Sequence, residues 1–466
     1  MSLFVPVRRK QRKENIQIIK GISKTQLLVW GFFYPFYFIV VHYFKKIHAA
    51  TLACKSHFAV YTFVLLTLLI FTMKNHKAIF SDLICFSHLR WDFVFQRPQH
   101  LITRFAKHFR VFYVEETRHT QDEDRLQIKK SKENVWIIIP FLKDGGSDHE
   151  KYERQKNLLS NFFLEFKIQD YIFWYYTPLA LSVSDHFTPK TIVYDCMDEL
   201  SLFKSASPLL KEKERELLNN AHVVFTGGFS LFEAKKHLHK NIYPFPSSID
   251  KEHFCKARIA CVDPLDQAHI PHPRIGFYGV LDERLDTQLI QKVAHAKPEW
   301  QFILIGPVVK INSATLPRIE NIHYLGSKSY DDLPLYLSAW DVAMIPFERN
   351  EATRFISPTK TPEYLAAGKP VVSTSIKDVA DPYGKNGLVF IADTPEEFIA
   401  ATENALIIKN DEAWLNNVDE FLAQNSWDKT WRYMISHIIN SLSNKSEDVI
   451  IPDDKSADAK KERVYV

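Results

Sequence analysis

Short apolar segments alternate with segments of helical spacing from Ser81 to about residue 425, and this alternation constrains the fold more than any other feature. The apolar segment "DLICFSHL" precedes "RPQHLITRFAKHF", in which Leu101, Phe105 and Phe109 share one helical face. Strands that alternate with helices of this length predict a parallel sheet covered by helices on both faces. The predicted fold class is therefore α/β.

The pattern restarts after a loop around residues 255–273, with the candidate strands "RIGFYGVL", "FILIGP", "IHYLG", "DVAMIPF", "KPVVSTSI" and "GLVFIA". This predicts two Rossmann-like, doubly wound domains that face a cleft, over residues 79–255 and 256–425. The segment "SWDKTWRYMISHIINSL" predicts an amphipathic helix over 426–443, and the polar tail 444–466 is predicted to be disordered.

Residues 1–78 combine a basic arm with two apolar runs, one of 18 residues at 27–44 and one of 16 residues at 58–73. A membrane-spanning helix needs roughly 20 apolar residues, so both runs are short. Three interpretations stay open. The runs form a membrane hairpin that holds the protein at the inner face of the plasma membrane, they form an uncleaved anchor followed by an interfacial segment, or they are an unused extension upstream of a start at Met73.

Composition excludes several functions. The net charge is only +4, which does not support a nucleic-acid partner. The five cysteines lack CxxC spacing, which argues against a zinc site or disulfide framework and favours a cytoplasmic protein. Neither GxGxxG nor GxxxxGK[ST] occurs, so dinucleotide oxidoreductase and P-loop functions lose their main support.

The stretch "SPTKTPEYLAAGKPVVS", which Ser357 opens, predicts a short helix over 359–367, because Pro358 fits an early helical position and Gly368 fits the helix end. The free N–H groups of a helix start favour anions, and Lys360 adds a full positive charge. Glu363, one turn later, is suited to accept hydrogen bonds from ribose hydroxyls. The alternative is a capped helix whose Lys and Glu are only solvated.

A second candidate stretch is "GFYGVLDERLD". Gly279 lets the chain turn sharply after a strand, and Arg284, expected about one turn into the next helix, can reach a diphosphate bidentately. Asp282, Glu283 and Asp286 are interpreted as acids of the helix start rather than as catalysts.

The stretch "YDCMDEL" supplies a candidate base. Asp195 ends a predicted strand, and Asp198 follows in the loop, where a carboxylate that faces a cleft could deprotonate an acceptor hydroxyl. An N-cap or a structural salt bridge is the alternative.

The loop "SHLRWDFVFQRPQHL" holds basic and aromatic residues where nucleotide-binding loops usually hold glycine. The loop contains five candidates for binding a sugar or a lipid-linked phosphate, which are His88, Arg90, Trp91, Asp92 and Arg97. His88 is a weak candidate for catalysis, because a single histidine is more often a core residue.

These motifs resemble those of the GT-B glycosyltransferases, in particular the family 1/4-type sugar transferases of bacterial surface-polysaccharide clusters. The donor-type helix "SPTKTPEYLAAGKPVV" and the closing segment "SWDKTW" carry the resemblance. "DLICFSHLRWDFVFQRPQHL", "VVFTGGFSLFEAKKHLHKNI", "FPSSID" and "GFYGVLDERLD" are similar to a teichuronic-acid-type subgroup. The resemblance covers about residues 81–441.

The resemblance implies a hexosyltransferase that moves a sugar from a nucleotide-diphosphate sugar to a hydroxyl of a surface polysaccharide or glycolipid. Glu363 would hold the ribose, and Lys360 and Arg284 the diphosphate. The closing helix would return to the N-terminal domain, which receives the glycan or lipid-linked acceptor. The nucleotide sugar is a substrate, and neither a cofactor nor a metal is implied.

One position departs from the family pattern. Retaining members carry a second glutamate eight residues before the ribose glutamate, and Phe355 stands there in this chain. Asp198 as a base suits a reaction that inverts the configuration at the anomeric carbon. If the enzyme retains that configuration, Asp198 would bind the acceptor instead. Two other functions stay open: a GT-B-like sugar-nucleotide epimerase, and a non-catalytic, membrane-tethered scaffold of a polysaccharide assembly complex.

Overall fold

The computed structural model describes residues 80–204, 206–259 and 262–443. The predictions for residues 1–78 and for the tail 444–466 lie outside these ranges. No helix within the described ranges is long and apolar enough to cross a membrane.

The first sheet is built from nine strands, which are β1 (Asp82–Ser87), β2 (Arg110–Glu115), β3 (Arg118–Thr120), β4 (Arg125–Lys130), β5 (Val135–Lys143), β6 (Tyr171–Tyr175), β7 (Ile192–Cys196), β8 (Val223–Thr226) and β9 (Ile242–Pro244). Their order is β3-β5-β2-β1-β6-β7-β8-β9, with β4 beside β5. All pairings are parallel except that of β4 with β5. The polar strands β3 and β4 were not expected, because neither has an apolar run.

The second sheet is built from six strands, which are β10 (Arg274–Tyr278), β11 (Gln301–Ile305), β12 (Ile322–Gly326), β13 (Val342–Ile345), β14 (Val371–Ser373) and β15 (Val389–Ile391). All six match the predicted candidates, and they pair in parallel in the order β12-β11-β10-β13-β14-β15. The order reverses at β10, and ligands of such sheets bind beyond the strand ends at that point.

The α-helices are α1 (Arg97–Phe105), α2 (Asp148–Glu165), α3 (Leu181–Ser184), α4 (Leu210–Asn220), α5 (Phe229–Lys235), α6 (Lys251–Cys255), α7 (Leu265–Ala268), α8 (Thr287–Ala296), α9 (Leu333–Ser338), α10 (Lys360–Ala366), α11 (Lys377–Val379), α12 (Pro395–Ile408), α13 (Glu412–Leu422) and α14 (Trp427–Ser443). Helices on both faces explain why the central strands are buried throughout: every residue of β1, β6, β10 and β13 is buried. The predicted α/β architecture with two Rossmann-like domains is confirmed.

Helix α14 follows the second domain in sequence but packs on the first. Trp427, Met434 and Ile438 belong to the hydrophobic cluster on one face of the first sheet. Arg104 of α1 donates to Asp428 over 2.7 Å. The last helix therefore ties the end of the second domain to the first.

Candidate active site

A cleft of about 600 Å³ opens at the carboxyl ends of the strands of both domains. We call it the donor cleft. Six of the residues selected from the sequence line it: Trp91, Asp92, Gly279, Arg284, Lys360 and Glu363. The sheet architecture thus brings together side chains that lie up to about 270 positions apart in sequence.

Helix α10 starts at Lys360, within one residue of the prediction, and its N-cap is Thr359. Gly368, with φ +72°, ends the helical segment in the left-handed region that favours glycine. Pro358 was expected in the first helical turn. It lies instead one residue before the N-cap. Ser357 does not line the donor cleft, and its carbonyl accepts from Ser247 Oγ (3.2 Å).

Gly279 leaves the space into which Lys360 extends, and Gly306 lets the backbone after β11 approach Gly279 closely. Gly279 follows β10 with φ +142°, and a Cβ there would lie 2.3 Å from Lys360 Cε and 2.7 Å from Nζ. Gly306 follows the neighbouring strand β11, also with φ +142°, and its Cβ would lie 1.8 Å from the Gly279 carbonyl oxygen. The sequence analysis missed Gly306, although a glycine directly after the apolar run "FILI" was visible.

The carboxylate of Glu363 is held by Tyr278, the last residue of β10. Tyr278 Oη donates to Glu363 Oε2. The Tyr278 N–H donates in turn to Tyr364 Oη over 2.9 Å, which fixes the end of the strand against α10. The sequence analysis did not select Tyr278, because an aromatic residue in a buried strand gives no functional signal by itself.

Arg284 lies in the turn between β10 and α8 rather than inside the helix, which corrects the prediction. Its guanidinium donates to both carboxylate oxygens of Asp282, through Nε over 2.9 Å and through Nη2 over 2.7 Å. Asp286 caps α8 by accepting from the Leu289 N–H (2.8 Å), as expected of a helix-start acid. Glu283 accepts instead from the Lys204 N–H of the first domain (3.0 Å).

Glu363 is buried and Lys360 is half-buried, so both charged groups are largely removed from water. Burial, together with the charge of Arg284, lowers the pKa of Lys360. Burial also raises the pKa of Glu363, although the hydrogen bond from Tyr278 and the charge of Lys360 act in the opposite direction. Titratable groups perturbed by burial in a cleft are typical of functional sites.

The two aspartates of "YDCMDEL" have different environments. Burial raises the pKa of the Asp198 carboxyl to about 6, while the charges of Arg284 and Arg97 act to lower it. Within the described ranges, no side-chain hydrogen bond or ion pair reaches that carboxylate. Asp195 is fully buried and paired with Arg97, so of the two aspartates only Asp198 has a carboxylate without such a partner among the described residues.

Arg97 does not reach the donor cleft, although the sequence analysis placed it on the acceptor or phosphate side. Its Nη2 lies 2.8 Å from Asp195 Oδ1, and its Nη1 donates to the Phe245 carbonyl over 2.7 Å. All of these groups are buried, so the guanidinium links α1, β7 and the segment after β9 as part of the core. Its role is structural.

Other residues of the first loop lie at the cleft. Trp91 is buried against Tyr113, with ring centroids 5.0 Å apart, and still lines the cleft. Asp92 lines the cleft too and pairs with Lys129. Arg90 is exposed.

His88 lies directly after β1, and burial together with the charge of Lys310 lowers its pKa to about 4. The imidazole is therefore neutral near pH 7. Phe355, which replaces the second glutamate of retaining relatives, packs against a hydrophobic cluster of the first domain. It contributes to the contact between domains and offers no polar group to a sugar.

Residues 272–407 match the family described as Glycosyl transferases group 1. The chain is 24% identical over 281 residues to a Bacillus subtilis (strain 168) protein named as a teichuronic acid biosynthesis glycosyltransferase, TuaH; the match covers 57% of this chain and 70% of that protein.

Two solved structures share the fold. Sucrose-phosphate synthase from Thermosynechococcus elongatus has a TM-score of 0.59 and 16% identity, covering 78% of this chain and 100% of that one. Anabaena HepE, in complex with UDP and glucose, has a TM-score of 0.55 and 13% identity, covering 77% and 100%. The matched domain, the relative and the two-domain architecture together identify the chain as a glycosyltransferase of the GT-B fold with a group 1 glycosyl transferase domain.

Proposed function

We propose that the donor cleft binds a nucleoside diphosphate sugar and that the enzyme transfers the sugar to a hydroxyl of a surface polysaccharide or glycolipid. The observation that carries this proposal is the convergence of Lys360, Arg284 and Glu363, all buried or half-buried, in one cleft. Two cations can pair with the negative charges of a diphosphate, and a carboxylate can accept hydrogen bonds from the ribose hydroxyls. The name of the TuaH relative supports a surface polysaccharide as the product.

In this proposal Asp198 is the base. The acceptor oxygen attacks the anomeric carbon of the sugar, and the bond from that carbon to the diphosphate oxygen breaks with its electron pair on the diphosphate. Asp198 takes the hydroxyl proton. An aspartate with the usual pKa is a weak base. Burial raises the pKa of Asp198 and therefore makes it a stronger one. This assignment corresponds to inversion at the anomeric carbon.

We assign stabilisation of the leaving diphosphate to Lys360 and Arg284, without a resident metal. Both cations are held in place before the reaction, and their charges act strongly in a cleft from which water is excluded. Turnover is expected to persist after exhaustive treatment with EDTA. A loss of turnover that Mg²⁺ restores would contradict this assignment.

The donor site is tested by thermal shift of the full-length protein with UDP, GDP, ADP, CMP and dTDP. One nucleoside diphosphate is expected to raise the melting temperature, and Lys360→Ala is expected to abolish this rise without unfolding the protein. Lys385→Ala, which removes an exposed lysine paired with Asp381, is the matched control. A Lys360→Ala variant stabilised as strongly as the wild type would refute the phosphate role.

A location at the inner face of the membrane is part of this proposal, and it rests on the apolar runs at 27–44 and 58–73. The full chain is expected to sediment with membranes, whereas a chain that starts at Met73 is expected to stay in the supernatant. Equal distribution of the two chains would remove the support for an anchor.

A further inference from the structure

A buried lysine of the first domain contacts the loop that carries Asp198. Lys235, the last residue of α5, is only 5% exposed. Its Nζ lies 2.7 Å from Glu199 Oε2 and 2.8 Å from Glu214 Oε2, and both glutamate side chains are largely buried too. Glu199 follows Asp198 in sequence, and Glu214 lies on α4. The lysine therefore ties the loop to the helices that cover the first sheet.

Further contacts hold the same loop. Ser201 Oγ donates to Glu199 Oε1 over 2.8 Å, and the Cys196 thiol lies 3.6 Å from the Asp198 carbonyl oxygen. The Asp198 carboxylate itself forms no hydrogen bond or ion pair with a residue that the structure describes. Its position is therefore set by the backbone of the loop, and that backbone is held through Glu199.

The other end of the loop lies against the turn of the second domain that carries Arg284. The Lys204 N–H donates to the Glu283 carboxylate over 3.0 Å, and the Phe203 ring centroid lies 5.9 Å from Arg284 Cζ. Arg284 lines the donor cleft. The segment 197–204 thus runs from the end of β7 to the donor-binding turn, and its first residues are held by the ion pair with Lys235.

We propose that Lys235 and Glu199 are positioning residues, whose ion pair holds the loop, and with it the Asp198 carboxylate, in one place relative to the donor-binding turn. The inference rests on the proposed function, because it needs Asp198 as the base. Neither residue is among those that line the donor cleft, so both act through the loop backbone. Proton transfer requires the base within hydrogen-bond reach of the hydroxyl, and a misplacement of about 1 Å can cost roughly a hundredfold in rate.

The test compares Glu199→Ala with Glu214→Ala in the full-length protein. Each variant removes one of the two ion pairs of Lys235 and leaves the other in place, and the two glutamate side chains are similarly exposed, at 13% and 15%. Glu214 also accepts from Tyr194 Oη over 2.7 Å, so its loss disturbs the core at least as much. If the ion pairs only stabilise the fold, Glu214→Ala should therefore be at least as harmful as Glu199→Ala.

Turnover is measured as nucleotide release from UDP-glucose, UDP-N-acetylglucosamine and GDP-mannose with octyl glucoside as the acceptor, and the fastest donor serves for all variants. We expect kcat to fall about 10- to 100-fold in Glu199→Ala and to stay near the wild-type value in Glu214→Ala. Calorimetric titration should show unchanged affinity for the nucleotide in both. Glu199→Gln keeps an oxygen that can accept from Lys235, so it should restore most of the rate.

The pH profile separates positioning from a general weakening of the fold. Burial raises the pKa of Asp198, so a loop released toward water should move the midpoint of the rise in kcat/KM below pH 6. Glu214→Ala and Glu199→Gln should keep the wild-type midpoint. The variants leave in place the other charges that act on this carboxylate, which are those of Arg97, Asp282, Arg284 and Lys360.

Hydrogen–deuterium exchange of the segment 197–204 gives a readout that needs no turnover, and it decides alone if none of the three donors reacts. Exchange there should be faster in Glu199→Ala than in Glu214→Ala. Equal exchange or equal kcat in the two variants means that the inference is wrong, while the base assignment stands if Asp198→Asn is inactive. An Asp198→Asn protein with wild-type turnover refutes the base, and the inference with it.

Discussion

Replacing Gly279 by alanine tests whether the missing side chain after β10 is what allows Lys360 to occupy its position in the donor cleft. The new Cβ would lie 2.3 Å from Lys360 Cε, so the lysine side chain must leave its position. The φ of +142° adds a second effect, since an L-residue is strained there by about 1–3 kcal/mol. Gly279→Ala should therefore both destabilise the fold and weaken nucleotide binding.

The two effects can be separated by magnitude. The strain should lower the free energy of unfolding by about 1–3 kcal/mol whether or not Lys360 is present. Loss of a charge-assisted contact to phosphate costs about 1.5–3 kcal/mol, which is roughly a tenfold to hundredfold fall in affinity. In a Lys360→Ala background neither Cε nor Nζ remains, so Gly279→Ala should then cost no further affinity.

The measurements are urea unfolding and calorimetric titration with the nucleotide selected by thermal shift, on both single variants and on the double variant. Gly326→Ala is the control, because Gly326 also has a positive φ (+68°) but no atom lies within 4 Å of its Cβ position. That variant should be strained without losing affinity. Wild-type affinity in Gly279→Ala, or losses that add in the double variant, would refute the argument.

Three further predictions follow from the buried polar groups of the site and of the first domain. With the pKa of Asp198 at about 6, the base is protonated at lower pH, so kcat/KM should rise through about pH 6 and level off above pH 7, and Asp198→Asn should abolish this rise. Tyr278→Phe removes the donor to Glu363, so titration should show a smaller difference in affinity between UDP and 2′-deoxy-UDP, with stability nearly unchanged. Arg97→Ala leaves Asp195 buried without its partner and should cost about 3–5 kcal/mol in urea unfolding. An Arg97→Ala protein with wild-type stability would contradict the structural role of this pair.

Much of the second domain could be predicted because its information is local. Each of its six strands is a short apolar run bounded by turn residues, and all six are present. The start of α10 was predicted within one residue from Pro358 as an early helical position and Gly368 as the helix end. The rule that parallel strands present ligands at their carboxyl ends then placed Gly279 and Arg284 beside them.

The first domain shows where local patterns fail. Arg97 resembles a substrate-binding residue in a basic and aromatic loop, yet it is buried against Asp195, 98 residues away. Strands β3 and β4 pair with β5 although they are polar, because one face of an edge strand can remain in water. No short window of the sequence contains both Arg97 and Asp195.

By itself the sequence determined the α/β class, the two Rossmann-like sheets and six of the residues that line the donor cleft, because hydrophobic periodicity and turn chemistry act over a few neighbouring positions. Tertiary structure alone decided which charges face each other. It paired Arg97 with Asp195, placed Tyr278 in hydrogen-bond contact with Glu363, and set Glu283 against the Lys204 N–H of the first domain. The physical reason is that electrostatic and hydrogen-bond interactions depend on distances between atoms, and those distances are set only when the sheets, helices and domains have packed.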